Sequence, residues 1–543
     1  MKASTTKTVA CAGALLASAS VTAVCAQPAA SRPNGATPIP PGITTPDAVQ
    51  TSLGTLHYKD GAPSPDTVAK VYDNLDLMHG VEAFVNAFQG ASTYAIRQGL
   101  LDMGVEDNTL VVFSDLMDAK SIFLTANTDT PYLFGIIDLS NGPMIFEVPP
   151  KLLGTLDDMW FRWVTDVGAP GPDRGEGGKY LILPPGYDGP VPEGGYFVAR
   201  SRTTRVLIIA RAYLENNDPK PAAALIRGGA RLYPYTQGGY GTSIAEILTG
   251  KVRPGRPTPP PAQKFVEGTG KPFMTAPAND FHYFEQIDAL VQQEPASAQD
   301  PEIMGSLAAV GIVKGQKFSP DARMRKILTD AAAIGTATGR TLLWNARASE
   351  GFAYYPGSAW INSLFVGGYN FETPPPLVTK DGIKPFPDTG YRTLNARTAM
   401  FFYATGITPA MIMRLPETGS QYLAAFVDSK GEYLDGARTY KVMLPPNIPA
   451  RAFWSIIVYD NQTRSMLQTD QQFPSIGSQK KGIVINPDTS VDVWFGPSAP
   501  KEHEANWVQT IPGKGWNVLL RLYGPLQPWF DKTWKPGEFE PVK

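Results

Sequence analysis

Met144-Ile145-Phe146-Glu147-Val148-Pro149-Pro150 and, much later in the chain, Tyr440-Lys441-Val442-Met443-Leu444-Pro445-Pro446 are the two stretches on which the fold turns. Each is a short run of strand-forming residues stopped by a proline pair, which cannot continue a sheet ladder. The residues beyond each pair come in the same order. The first stretch leads to Trp160 and, six residues on, Asp166; the second leads to Trp454 and, six residues on, Asp460. Each region then closes on an apolar strand ending in Arg-x-Tyr, with Arg211 and Tyr213 in the first and Arg521 and Tyr523 in the second. The reading is two copies of one β-unit, each long enough for a jelly-roll or a similar sandwich. The expected fold class is therefore mainly β with helical insertions (α+β), two jelly-roll-like sandwiches in tandem.

Outward from these stretches, Leu110–Phe113, Met159–Thr165, Tyr180–Leu183, Tyr196–Ala199 and Val206–Ala210 read as strands of the first unit, and Tyr422–Val427, Ala452–Tyr459, Gly482–Ile485 and Val491–Phe495 as strands of the second. Pro65-Asp66 starts a helix, and Val81, Phe84, Val85 and Phe88 lie on one face of a second helix running toward Met103; both are expected to pack on a sheet. Helical signals return at Ala222–Leu232, Phe281–Gln293 and Ala322–Ala333, interrupted by the linker-like Lys251–Gln263. The expected segments are a signal peptide over 1–26, a Pro-rich tail over 27–65, a first β-unit over 66–218, a mainly helical insertion over 219–372 and the second β-unit over 373–543.

The 543 residues carry 48 Lys and Arg against 50 Asp and Glu, which leaves no basic field to attract a nucleic acid backbone. With 43% apolar, 10% aromatic and only 18% charged residues, the chain has ample material for a core, which excludes wholesale disorder. Lys2 and Lys7, the apolar and small-residue stretch Val9–Val24 and the small residues Val24-Cys25-Ala26 form a secretory signal, so a periplasmic or secreted location is expected. Cleavage after Ala26 removes Cys11 and Cys25, leaves no cysteine, and takes the net charge from −2 to −4. A lipid-anchored Cys25 is the other option, although Thr22-Ala23-Val24 lacks the leucine and the small residue expected before it. No further stretch has the roughly 20 apolar residues of a membrane span.

Two further sets of residues carry a resemblance. Phe123–Asp138, with Asn127-Thr128-Asp129-Thr130-Pro131-Tyr132, followed by Asp158-Met159-Trp160, resembles the bacterial family domain of unknown function 1254. Phe453-Trp454-Ser455, Tyr459-Asp460, Asn506-Trp507 and Arg521-Leu522-Tyr523-Gly524-Pro525 resemble domain of unknown function 1214. The resemblance implies a double jelly-roll with helical insertions, related in architecture to capsid proteins of large viruses, in secreted bacterial proteins, and it brings no established reaction. The chain departs from it at Gln509, where a proline is expected two residues after Trp507.

No Gly-x-Ser-x-Gly elbow, His-Glu-x-x-His helix, Walker loop or Gly-x-Gly-x-x-Gly fingerprint is present, and His57, His79, His282 and His503 stand singly. No cofactor is evident and no metal ligands are assigned, although a divalent cation held by carboxylates stays open. The most compact polar group is Asn127, Asp129 and Tyr132, an amide, a carboxylate and a phenol within six residues. If extended, Asn127 and Asp129 face the same way and suit a sugar-like hydroxyl or a hard cation; the alternative is a turn, which Asn, Asp and Thr-Pro also favour. Arg211 and Arg521 are read as partners of the structural carboxylates Asp166 and Asp460 rather than as an anion site. Arg162, Arg392 and Arg397 are candidate substrate-binding residues in a cleft between the β-units. The leading expectation is a hydrolase for a polar small molecule or glycan-like substrate, with Asp129 and Tyr132 catalytic and Asn127 orienting the substrate. The alternative is a non-catalytic ligand-binding or assembly protein, with self-association open to it.

Expression of the full chain in a Gram-negative host should deliver a periplasmic protein beginning at Gln27, as read by N-terminal sequencing; an intact cytoplasmic chain beginning at Met1 contradicts the signal reading.

Overall fold

The computed structural model describes residues 37–236, 248–250, 260–364, 366–374, 378–379, 382–383, 390–413 and 415–542. The signal segment 1–26, most of the linker-like stretch and most of the turn-rich stretch 373–389 lie outside the described residues. The chain divides into a small unit, Met1–Tyr72, and a large one, Asp73–Lys543. In the small unit Ala48–Thr51, Gly54–Lys59 and Ala62–Pro63 form an antiparallel sheet where the composition suggests an extended tail. The Thr51–Gly54 turn closes it, with the Thr51 hydroxyl donating to Gly54 O at 2.9 Å.

The large unit is mainly β with several sheets and accompanying helices, and among the described residues no sheet closes into a barrel. Its first pair of sheets begins with one ordered Phe265–Glu267, Leu110–Val112, Tyr132–Asp138, Arg205–Ala212, Leu152–Asp158, Trp163–Gly168. The other is ordered Phe197–Arg200, Gly178–Leu183, Met144–Val148, Arg231–Pro234. Two of these strands lie beyond residue 218, so the first β-unit draws on the segment assigned to the helical insertion. Alternation sends Leu152, Leu156, Val167, Ile208 and Ala210 into the core of this pair, while Leu153, Thr155, Asp166, Ile209 and Arg211 face away from it.

The second pair repeats the order. Ser420–Ala425, Trp516–Pro525, Ala450–Asp460 and Ser475–Gly477 lie side by side, and the other sheet runs Trp507–Gln509, Val491–Gly496, Thr439–Leu444, Glu540–Val542. Even the one parallel contact in the second sheet of each pair recurs, between Gly178–Leu183 and Phe197–Arg200 and between Val491–Gly496 and Trp507–Gln509. Arg211 stands opposite Tyr132 and Leu153, and Arg521 stands opposite Tyr422 and Ser455. Equating the arginines corrects the sequence alignment. Asp158, opposite Val206, then matches Asp460, opposite Trp516; each accepts the N–H two residues on, at 2.9 and 2.6 Å. Trp454 lies within its strand whereas Trp160 lies in the turn beyond Asp158, so those tryptophans are not equivalent.

Gly482–Ile485 is not a strand. Val484 exchanges hydrogen bonds with the buried Asn506 side chain, N–H to Oδ1 at 2.9 Å and Nδ2 to O at 2.7 Å, so an amide takes the place of a partner strand. At the departure noted in that loop, the Gln509 N–H donates to Gln471 Oε1 at 2.9 Å, a bond that proline could not make. The two N-terminal helices are one helix, Pro65–Asp102. Gly80 does not break it: a Cβ there would come within 2.8 Å of Ala331, so glycine permits the approach of the helix Ala322–Trp344. Its apolar face meets helices, with Phe84 4.0 Å from Tyr283 and Phe88 5.3 Å from Phe402 between ring centroids, and also strands, since Gly99 lies against Phe273–Met274.

Gly168 ends the strand that carries Asp166, at φ +74°, where a Cβ would sit 1.9 Å from Leu152 O. Gly168→Ala should therefore cost about 2–4 kcal/mol in chemical denaturation. Gly228→Ala, in the helix Lys220–Gly229 with open space around it, should be neutral or gain up to ~1 kcal/mol.

Candidate functional site

The loop before Tyr132–Asp138 is held from within and from across the molecule. Asn127 Oδ1 accepts from the Asp129 N–H at 3.0 Å and from the Thr130 hydroxyl at 3.2 Å, and Asn127 Nδ2 donates to the Tyr132 hydroxyl at 2.6 Å. Asn127 thus makes the turn rather than sharing a strand face with Asp129. Asp129 is buried, and its Oδ2 accepts from the hydroxyls of Ser455 at 2.7 Å and Tyr523 at 2.9 Å. Arg521 Nη2 donates to Thr125 O at 2.5 Å and to the Tyr459 hydroxyl at 2.8 Å, and Tyr459 donates to Ala126 O at 2.6 Å. Burial raises the Asp129 carboxyl above its ordinary range, against the pull of Ser455 and Arg521.

Beside this clamp lies a cavity of about 540 Å³, lined by Tyr132, Arg211, Tyr422, Arg521, Asp166, Glu417 and Arg451 among apolar residues that include Phe123, Ile209, Leu364 and Met400. The outward faces of both large sheets contribute to it. Arg521 lies over the Tyr422 ring at 5.2 Å and Arg211 over the Tyr523 ring at 5.8 Å. Burial alone would raise the Tyr422 phenol, yet the charges of Arg211 and Arg521 overcome it and hold the phenol below the ordinary tyrosine value. Hydrogen bonds from Ser420 and Arg211 add to that effect, whereas Tyr132 on the same wall is raised by burial. Arg521 Nε is buried on this wall without a hydrogen-bond partner among the described residues.

Asp166, 6% exposed, lies on another part of the wall. Burial pushes its carboxyl up to about 7, with Thr408, Trp163 and Thr155 pulling it part of the way back, and none of them reaches hydrogen-bond geometry on Oδ1. Asp157, in the adjacent strand, is raised further by burial and by the charges of Asp158 and Asp166.

The expected pairing of Arg211 and Arg521 with Asp166 and Asp460 is corrected: Asp460 pairs with Lys514, and the carboxyl on which the charges of Arg521 and Arg211 act is Asp129. Of the other sequence-derived candidates, Asp129 does not line the cavity, and Tyr132 does. Arg162, Arg392 and Arg397 do not line it either. They lie within electrostatic reach of one another elsewhere: Arg162 donates to Ala298 O at 2.9 Å and to Gln299, Arg397 to Asn86 Oδ1 at 2.6 Å, and Arg392 faces Glu372 at 3.7 Å. Burial and the two neighbouring guanidiniums bring Arg397 down to about 10. Sequence alone marks Tyr422 only as a strand residue and Asp166 only as an arginine partner; the register opposite Arg521 and Thr155 is what places them at the cavity. Among the described residues, no group of three or more His, Cys, Asp or Glu could hold a metal ion.

Two family matches agree with this geometry. Residues 108–234 match the protein of unknown function DUF1254 and residues 419–527 match the protein of unknown function DUF1214. The chain carries both domains, in that order. The DUF1254 region contains the 125–129 loop and Arg211, and the DUF1214 region contains Tyr422, Ser455, Tyr459, Arg521 and Tyr523. The chain is similar to the VPA0106 protein from Vibrio parahaemolyticus, at 16% identity and TM-score 0.47 over 86% of this chain and all (100%) of that one. It is also similar to an uncharacterized protein from Burkholderia cenocepacia, at 12% identity and TM-score 0.34 over 87% of this chain and 96% of that one. No curated protein matches.

The Asp166 carboxyl binds its proton more tightly folded than unfolded, so its contribution to stability is present in full below about pH 4 and is lost as pH rises toward 7. Asp166→Asn escapes that loss. Its unfolding free energy relative to the native protein should rise between pH 4 and pH 8 by on the order of 4 kcal/mol, measured by urea titration at each pH; a pH-independent difference contradicts the raised carboxyl.

Proposed function

We propose that the protein is an exported ligand-binding protein built from two jelly-roll-like sandwiches, and that the cavity beside the clamp binds a small organic anion with an apolar body. The observation that carries this reading is the pair of guanidiniums, Arg211 and Arg521, on the wall of a cavity otherwise lined largely by apolar residues. A ligand carboxylate there would accept charge-assisted hydrogen bonds from Arg211 and be favoured by Arg521, while the apolar wall would receive its body. Export is supported by the amino-terminal sequence alone, and among the described residues no helix is long and apolar enough to cross a membrane. The repeated strand order supports the jelly-roll comparison.

Binding is favoured over hydrolysis because Asp129, the base in the hydrolase reading, has one carboxylate oxygen occupied by two hydroxyl donors and stands behind the cavity wall. Calorimetric titration with butanoate, hexanoate, octanoate and phenylacetate tests the proposal. At least one should bind, and Arg211→Met should weaken it by about tenfold or more, with Arg211→Lys intermediate. Absence of binding by all four, or indifference to Arg211→Met in a folded variant, overturns it.

A further inference from the structure

The cavity carries a carboxyl as well as two guanidiniums. Arg211 and Arg521 lie at one part of its wall, and Asp166, more than nine-tenths buried and in no ion pair among the described residues, lies at another. Strand register separates them. Arg211 is opposite Leu153, and Asp166 is opposite Thr155 on the other edge of the same strand, so two strand spacings and two residues of rise lie between them. That places the two Cα atoms roughly 12 Å apart. All four residues sit on the same face of the sheet, the face that looks into the cavity rather than into the core.

A simple organic anion satisfies only one end. It would leave the Asp166 carboxylate without a cationic partner, at the cost that an unpaired charge carries away from water. A ligand whose far end is a cationic donor meets it, and its second charge complements the carboxylate as its first complements the guanidiniums. The space between the ends is lined by Leu153, Ile209 and Met400, which suits a run of methylene groups, and about 540 Å³ accommodates it. We infer that the cavity takes a two-ended ligand, a carboxylate joined by an apolar spacer to an ammonium group, with the carboxylate at Arg211 and Arg521 and the ammonium at Asp166. This rests on the anion-binding reading above and assigns the second half of the same site.

The test compares 4-aminobutanoate, 6-aminohexanoate and 8-aminooctanoate with butanoate, hexanoate and octanoate by calorimetry at pH 8, on the native chain and on Asp166→Asn. At one spacer length or more, the amino acid should bind the native protein at least tenfold more tightly than the alkanoate of the same length. Asp166→Asn should bind that alkanoate at least as tightly as the native protein does and should lose the preference. An alkanoate that binds while no amino acid exceeds it overturns this inference and leaves the anion site standing, as does a preference that survives in Asp166→Asn. Failure of every alkanoate and every amino acid to bind overturns the anion reading and this inference with it. The native comparison decides without the variant.

Discussion

Arg521 is a cation nine-tenths removed from water, and the arrangement around it is a consequence of that burial. A guanidinium cannot shed its proton, so it must find acceptors wherever it is buried. It finds them in the carbonyls of Thr125 and Ala126, with the Tyr459 hydroxyl, and its charge acts on Asp129 a few residues farther along the same loop. The acceptors belong to the DUF1254 region and the cation to the DUF1214 region. Neither region supplies a satisfied version of this cluster by itself, which gives a physical reason for the two to occur in one chain.

The two pairs of sheets share their strand order and a cross-strand Tyr–Arg pair, Tyr132 with Arg211 and Tyr422 with Arg521. What differs is the residue on the arginine's other side. Ser455 is small and polar, and its hydroxyl reaches Asp129; Leu153 at the matching position faces the cavity. The second arginine is therefore held by the carbonyls of a neighbouring loop, whereas Arg211 meets the Tyr422 phenol. Likeness supplies two guanidiniums at the cavity, and divergence gives them different partners.

Strands such as Met144–Val148 and Thr439–Leu444 were legible to the residue, because β-branched and aromatic runs bounded by Pro-Pro admit little else. Leu152–Asp158 was missed: Gly154 and two aspartates dilute its apolar signal, and its inward residues are spaced by the fold rather than by a clean alternation. That omission shifted the comparison of the two units and matched Trp160 and Asp166 to Trp454 and Asp460. The Arg-x-Tyr ending was the sound signal, since its register survives in three dimensions. The group Asn127, Asp129 and Tyr132 does come together, but with partners no local reading could supply, because Ser455 and Tyr523 lie more than three hundred residues away, at separations of 326 and 394. Arg162, Arg392 and Arg397 were placed near the units by sequence position alone, and the facing surfaces that form the cavity do not include them.

Tyr422 and Asp166 show why the cavity has a direction. Both are buried, and burial raises the pKa of a phenol and a carboxyl alike. Tyr422 ends below its ordinary value, where the two guanidinium charges act together with hydrogen bonds from Ser420 and Arg211, while desolvation decides at Asp166 and at Tyr132. An apolar lining between the two walls preserves that difference, since water would screen it. The polarity therefore arises from where each sheet face turns its charged side chains, and it requires no excess charge on the chain as a whole, whose acidic and basic residues nearly balance.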